Sequence, residues 1–141
     1  MARNCPCRSE EATYAKRLAL REDLHPRYHP RRGEIWEVDT PGQPEDPHQP
    51  RPALIISEDE RNRLADDFLV VPIFSGGSGP TRVLLPAGEG GIEHDSVIYC
   101  EEVTCLYEDF LVRGPLGEPV HPRILRRVVE GVRITITPIG E

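Results

Sequence analysis

A long acidic, proline-rich loop, residues 40–50, separates two strand-like stretches, and Arg51 stands where it re-enters the second of them. Structureless loops of that length are uncommon in small domains and usually bind or gate something. A guanidinium is planar and permanently charged, and it can hold a phosphate through two parallel hydrogen bonds. The structural alternative for Arg51 is an ion pair with a nearby acid, Asp46 or Glu58. Ser75 ends a later apolar stretch and runs into Gly76-Gly77-Ser78-Gly79-Pro80. Its hydroxyl could donate to the same anion, or simply serve the turn. His48, three residues before the arginine, is a candidate general base on a mobile loop, or else a solvated loop histidine.

Other chemistries find little support. No G-x-G-x-x-G, P-loop or G-x-S-x-G is present, and the 76–79 glycines lack the following lysine and helix that a phosphate cradle needs. His25, His29, His48 and His121 stand beside or near prolines, with no H-x-x-x-H or acid-rich ligand set, so no metal or other cofactor is expected. Cys5, Cys7, Cys100 and Cys105 fit neither a C-x-x-C nor a zinc knuckle and read as structural thiols.

These residues must be positioned by strands. Residues 33–39 alternate, with Trp36 and Val38 on one face and Ile35, Glu37 and Asp39 on the other. Residues 52–57 form a nearly continuous apolar run, as in a strand buried on both faces. Residues 58–67 suit a helical turn or two. A third strand, 68–74, contains Pro72, which implies that one edge of it lacks a ladder partner there. Residues 82–86 and 96–103 follow as strands, with 104–107 continuing the latter or bending away from it, and 111–116 make a short strand or crossover. His121-Pro122 opens a helix to about Val132, with Ile124, Leu125, Val128, Val129 and Val132 as its core stripe. Short strands closed by one helix predict a mainly β fold, a small, strongly bent antiparallel barrel. Residues 1–31 read as an appended arm, helical from about Ser9 to Glu22 or disordered, and 32–141 as the barrel domain.

At 141 residues the chain holds one domain. No apolar run approaches the ~18 residues needed to cross a bilayer, and no signal-peptide pattern is visible, which gives a cytoplasmic expectation. Charge is uneven. Residues 1–32 carry eight basic and four acidic side chains, whereas 33–141 carry nine basic and twenty acidic. A body with that excess does not attract a polyanion at long range, so any nucleic-acid site must be local.

The series Arg32-Gly33-Glu34-Ile35-Trp36-Glu37-Val38-Asp39, Arg51-Pro52-Ala53-Leu54-Ile55-Ile56-Ser57, Val70-Val71-Pro72-Ile73-Phe74-Ser75 and Asp95-Ser96-Val97-Ile98 resembles the MazF/PemK toxins of type II toxin–antitoxin systems, from about Arg32 to Ile136. The resemblance implies an SH3-like barrel, a homodimer, and a metal-independent, sequence-specific endoribonuclease acting on single-stranded RNA such as mRNA. It also implies a cognate antitoxin lying across the dimer groove. The family's catalytic arginine falls on Arg51 and its Ser/Thr partner on Ser75. The loop becomes a flap, on which Asp46 or His48, or else a water, could take a proton, and Phe74, Gly76, Arg82 and Glu102 are the expected RNA contacts. Where the family often has Gln, Glu102 offers a carboxylate that suits a cytosine or adenine amino group. The alternative is a non-catalytic barrel that binds a protein partner, an antitoxin or a gyrase-like target.

Overall fold

One long strand organises the sheet. The computed structural model describes residues 29–39 and 49–140, so the expected helix from Ser9, most of the 40–50 loop, and with it Asp46 and His48, lie outside the described residues. The strands are β1 (Ile35–Val38), β2 (Arg51–Ile55), β3 (Asp67–Phe74), β4 (Arg82–Leu85), β5 (Ser96–Tyr99), β6 (Thr104–Tyr107) and β7 (Leu111–Arg113), with helices α1 (Asp59–Leu64) and α2 (Pro122–Ile136). The sheet runs β4-β5-β3-β2-β1-β7, and β6 adds to β3 off that path. Every pairing is antiparallel. The mainly β expectation therefore holds. The barrel is an open one among the described residues, since its path ends at β4 and β7.

One edge of β3 pairs with β2, while the other pairs first with β6, over Asp67 to Val70, and then with β5, at Ile73 and Phe74. Val71 and Pro72 fall between these two partners, which is where a residue without an N–H costs the ladder nothing. The same change of partner corrects the strand expected over 96–103. The chain leaves β5 through a single 3-10 turn at Cys100–Glu102 before β6 begins. A strand cannot follow both halves of a bent β3 without a corner, and bends at corners are how strands switch sheets. The Cys100 N–H pins that corner to the Thr81 carbonyl at 2.9 Å.

Alternation sends the strands' side chains to two cores. Ile35, Leu54, Val71 and Ile73 pack with Val128 of α2, while Val38, Ala53, Ile55, Phe68, Val70 and Leu106 form a second cluster with Trp36 against it. Helix α2 starts as expected: Pro122 fills the first turn and His121 caps it, its Nδ1 accepting from the Arg123 N–H. It runs on to Ile136 rather than ending near Val132. Val129 is exposed rather than part of the core stripe, because the buried line passes through Ile124, Leu125, Val128 and Gly131 instead. Gly131 lets the helix backbone sit against Cys100.

Candidate active site

Arg51 is the first residue of β2, where it pairs with Val38 of β1, so its backbone is held by the sheet. It shares a face with Ala53, and Ala53 stands opposite Pro72. Continuing that register by two places sets Arg51 across from Phe74, and its Cζ lies 4.2 Å above the Phe74 ring centroid. Guanidinium over an aromatic face is a favourable stack. Ser75 follows Phe74 at the end of β3, where the chain turns into its glycines.

Arg51, Phe74, Ser75 and Gly76 line one open cleft of about 610 Å³, together with His94 and Tyr99. Arg51 and Phe74 also line a smaller pocket of about 210 Å³, whose other walls include Pro72, Glu102 and Thr104. The Arg51–Phe74 pair is thus the ridge between two hollows, one bearing the serine and one bearing the glutamate. On the far side, a hollow of about 440 Å³ shares His94, Ser96 and Pro52 with the larger cleft and carries the Arg113–Glu37 ion pair.

Four of the expected site residues therefore meet in one cleft, and Glu102 reaches the adjoining pocket. Arg82 does not line either. Its Cζ sits 3.7 Å over the Tyr99 ring, its Nε donates to Glu101 Oε2 at 2.8 Å, and Nη2 reaches the same oxygen. Thr81 Oγ1 donates to the other Glu101 oxygen at 2.8 Å. These donors, Arg82 first, outweigh partial burial and hold the Glu101 carboxyl down at about 2. The pairing also raises Arg82 above the usual arginine value.

Two cleft residues escape a reading of the sequence. Tyr99 packs on Phe74 with ring centroids 4.2 Å apart and donates from Oη to the Gly76 carbonyl at 2.5 Å. Only the register between β3, β5 and β4 reveals it. His94 had a visible signal: it alone of the five histidines has no proline near it, lying within Glu93-His94-Asp95 just before β5. Its imidazole is the one in this cleft among the described residues. Asp95 is occupied, accepting from the Ala87 N–H at 2.8 Å.

The arrangement can hold a phosphate against a fixed cation, give it a hydroxyl donor, and offer a histidine for proton transfer. Comparison with known proteins agrees on the kind of molecule. The family model described as PemK-like, MazF-like toxin of type II toxin–antitoxin system matches residues 31–136. Endoribonuclease MazF9 of Mycobacterium tuberculosis is 34% identical over 95 residues, spanning 62% of this chain and 80% of its own. In fold, the chain is similar to an endoribonuclease from a mycobacterial species solved with its cognate antitoxin, with a TM-score of 0.62, 21% identity, and 76% of this chain and 94% of that one covered. MazF from Deinococcus radiodurans gives a TM-score of 0.61 at 23% identity, covering 75% and 94%.

Proposed function

Because the chain belongs to the PemK-like, MazF-like toxin family of type II toxin–antitoxin systems, we propose that it is a metal-independent endoribonuclease that cuts single-stranded RNA in the Arg51–Ser75 cleft. The observation that carries this reading is the meeting of those two side chains in one open cleft, although 24 positions separate them in sequence. Unpaired RNA is the fitting substrate, since an A-form duplex hides its base edges.

The chemistry is an internal transesterification. The 2′-oxygen attacks the adjacent 3′-phosphorus as its proton leaves, the bond from phosphorus to the 5′-oxygen breaks, and that oxygen gains a proton. The products are a 2′,3′-cyclic phosphate and a 5′-hydroxyl end. Arg51 neutralises the charge that grows on the non-bridging oxygens, and Ser75 donates a hydrogen bond there. A guanidinium does not give up its own proton near neutrality, so another group must accept the one from the 2′-oxygen. Asp46 and His48 of the loop, or water, are candidates, and His94 joins them from the cleft wall. Glu102, in the adjoining pocket, would read a base amino group. The protein acts as a cytoplasmic homodimer checked by a cognate antitoxin, with residues 1–31 an arm outside the catalytic domain.

Incubating the full chain with a long single-stranded RNA plus chelator, and mapping the ends, tests this directly. Discrete cuts are expected. Arg51→Ala and Ser75→Ala should each cut roughly 100-fold more slowly, given what single oxyanion donors contribute. Deoxyribose at the cleaved position should abolish the reaction. Wild-type cleavage by folded Arg51→Ala would refute the assignment, and His94→Gln in the same assay decides whether the imidazole moves a proton. The excess of eleven negative charges in residues 33–141 favours a second reading, a barrel that acts by binding a protein partner. No cuts by a well-folded protein would support it.

A further inference from the structure

One side chain from each of four neighbouring strands falls into a single row on the surface. Arg82 of β4 stands opposite Tyr99 of β5 in the register. Phe74 of β3 pairs with Val97, which makes Tyr99 its diagonal neighbour on the same face. Arg51 of β2 is the cross-strand neighbour of Phe74 by the register described above. The contacts follow the order: 3.7 Å from Arg82 Cζ to the Tyr99 centroid, 4.2 Å between the two rings at a 46° tilt, and 4.2 Å from the Phe74 centroid to Arg51 Cζ.

The far end of the row is tied down. Glu101 receives both Arg82 and Thr81, and the Tyr99 hydroxyl is bound to the Gly76 carbonyl. The glycine turn closes over that tyrosine: Gly77 has φ +124°, and a side chain there would collide with Tyr99 Oη. None of the four belongs to either buried cluster, and all four are only partly buried. The fold does not need them to close its core. Arginine has many side-chain rotamers to lose, and a stack on a fixed aromatic surface removes most of that freedom before any ligand arrives.

We propose that Tyr99 and Arg82 are positioning residues for Arg51: the row anchored on Glu101 fixes the Phe74 ring, and through it the place at which the Arg51 guanidinium meets the phosphate. This rests on the reading of Arg51 given above. The row acts on the transition state, where a displaced charge is felt most, and leaves substrate capture largely alone. It also gives Phe74 a role as the bed for Arg51, beside its expected contact with RNA.

The test uses the full chain and an oligonucleotide spanning one mapped cut. Tyr99→Leu is expected to lower kcat roughly 10- to 100-fold with KM changed by less than about threefold, and Tyr99→Phe to recover most of that loss. Arg82→Met, at the far end of the row, should lower kcat by about 2- to 5-fold with the same split. The Arg51 Nε–Hε NMR signal, identified by its loss in Arg51→Lys, should move out of its ring-current-shifted position in both variants. A role in stability alone would leave that signal in place. Folded Tyr99→Leu and Arg82→Met with wild-type kcat, or with an unmoved Arg51 signal, would overturn the proposal. Should Tyr99→Leu not fold, Arg82→Met carries both readouts. Failure of the underlying reading looks different: Arg51→Ala then cleaves like the wild type.

Discussion

The most perturbed acid beside the cleft is Glu101, and its chemistry can be checked without RNA. Its carboxyl titrates at about 2, against 4.5 unperturbed, chiefly because Arg82 donates to it and Thr81 adds a second donor. A folded-state value below the unfolded one stabilises the fold when the group is ionised. That contribution is complete above pH 4.5 and is lost as pH falls towards 2. Glu101→Gln should therefore be less stable than the wild type at neutral pH, by on the order of 1 kcal/mol once screening of a partly exposed pair is allowed for. The gap should close as the pH is lowered from 4.5 towards 2. Thermal unfolding of both proteins across that range measures it, and a gap independent of pH would mean that Arg82 does not hold the carboxylate. The anchor of the Arg51 row is thus a charged pair whose strength is a function of pH.

Among the elements, α2 comes close against the corner after β5 at Gly131. A methyl group on Gly131 would lie 2.7 Å from Cys100 Sγ and 2.9 Å from its Cβ. Alanine is better than glycine in a helix interior by about 1 kcal/mol, whereas overpacking a core costs about 1–3 kcal/mol. Cys100 is fully buried and its N–H is committed to Thr81, so it has little room to yield. The clash wins, and Gly131→Ala should destabilise by about 1 kcal/mol, partly relieved in the double variant with Cys100→Ala; denaturant melts of the four proteins give the coupling. Elements also explain how much the sequence revealed. Arg51 and Ser75 were legible because chain punctuation marks them, a proline and a glycine run beside strand ends. The gap beside Pro72 was legible for the same reason, since a missing N–H is written in the sequence. Tyr99 and the row it completes were not, because a register between strands far apart in sequence leaves no local trace. The corner at Cys100–Glu102 was hidden similarly: an apolar run looks the same whether its strand is straight or switches partners. Val129 was misplaced because a β-branched apolar residue next to a buried one satisfies helical spacing almost as well as its neighbour does.

At the scale of the whole molecule, two electrostatic effects oppose each other. The twenty acidic and nine basic residues of 33–141 repel RNA as it approaches, and added salt weakens that repulsion. A phosphate held by Arg51, as proposed, would displace a counterion, and added salt would weaken that too, by about 0.7 log units per log unit of salt for each single-strand phosphate neutralised. Repulsion acts over distances longer than a Debye length, which is about 10 Å at 0.1 M, so it fades first. Local contact then dominates. The dependence of kcat/KM on salt should accordingly be flat or rising below roughly 0.05 M and fall beyond about 0.1 M with a slope near −1, as for one or two phosphates. Steady-state cleavage of one oligonucleotide across a salt series decides this. A steep fall from the lowest salt, with a slope beyond about −3, would require more cations than the cleft offers. The exposed arginines of α2, Arg123, Arg126 and Arg127, would then be the place to look, because helical spacing puts all three on one face.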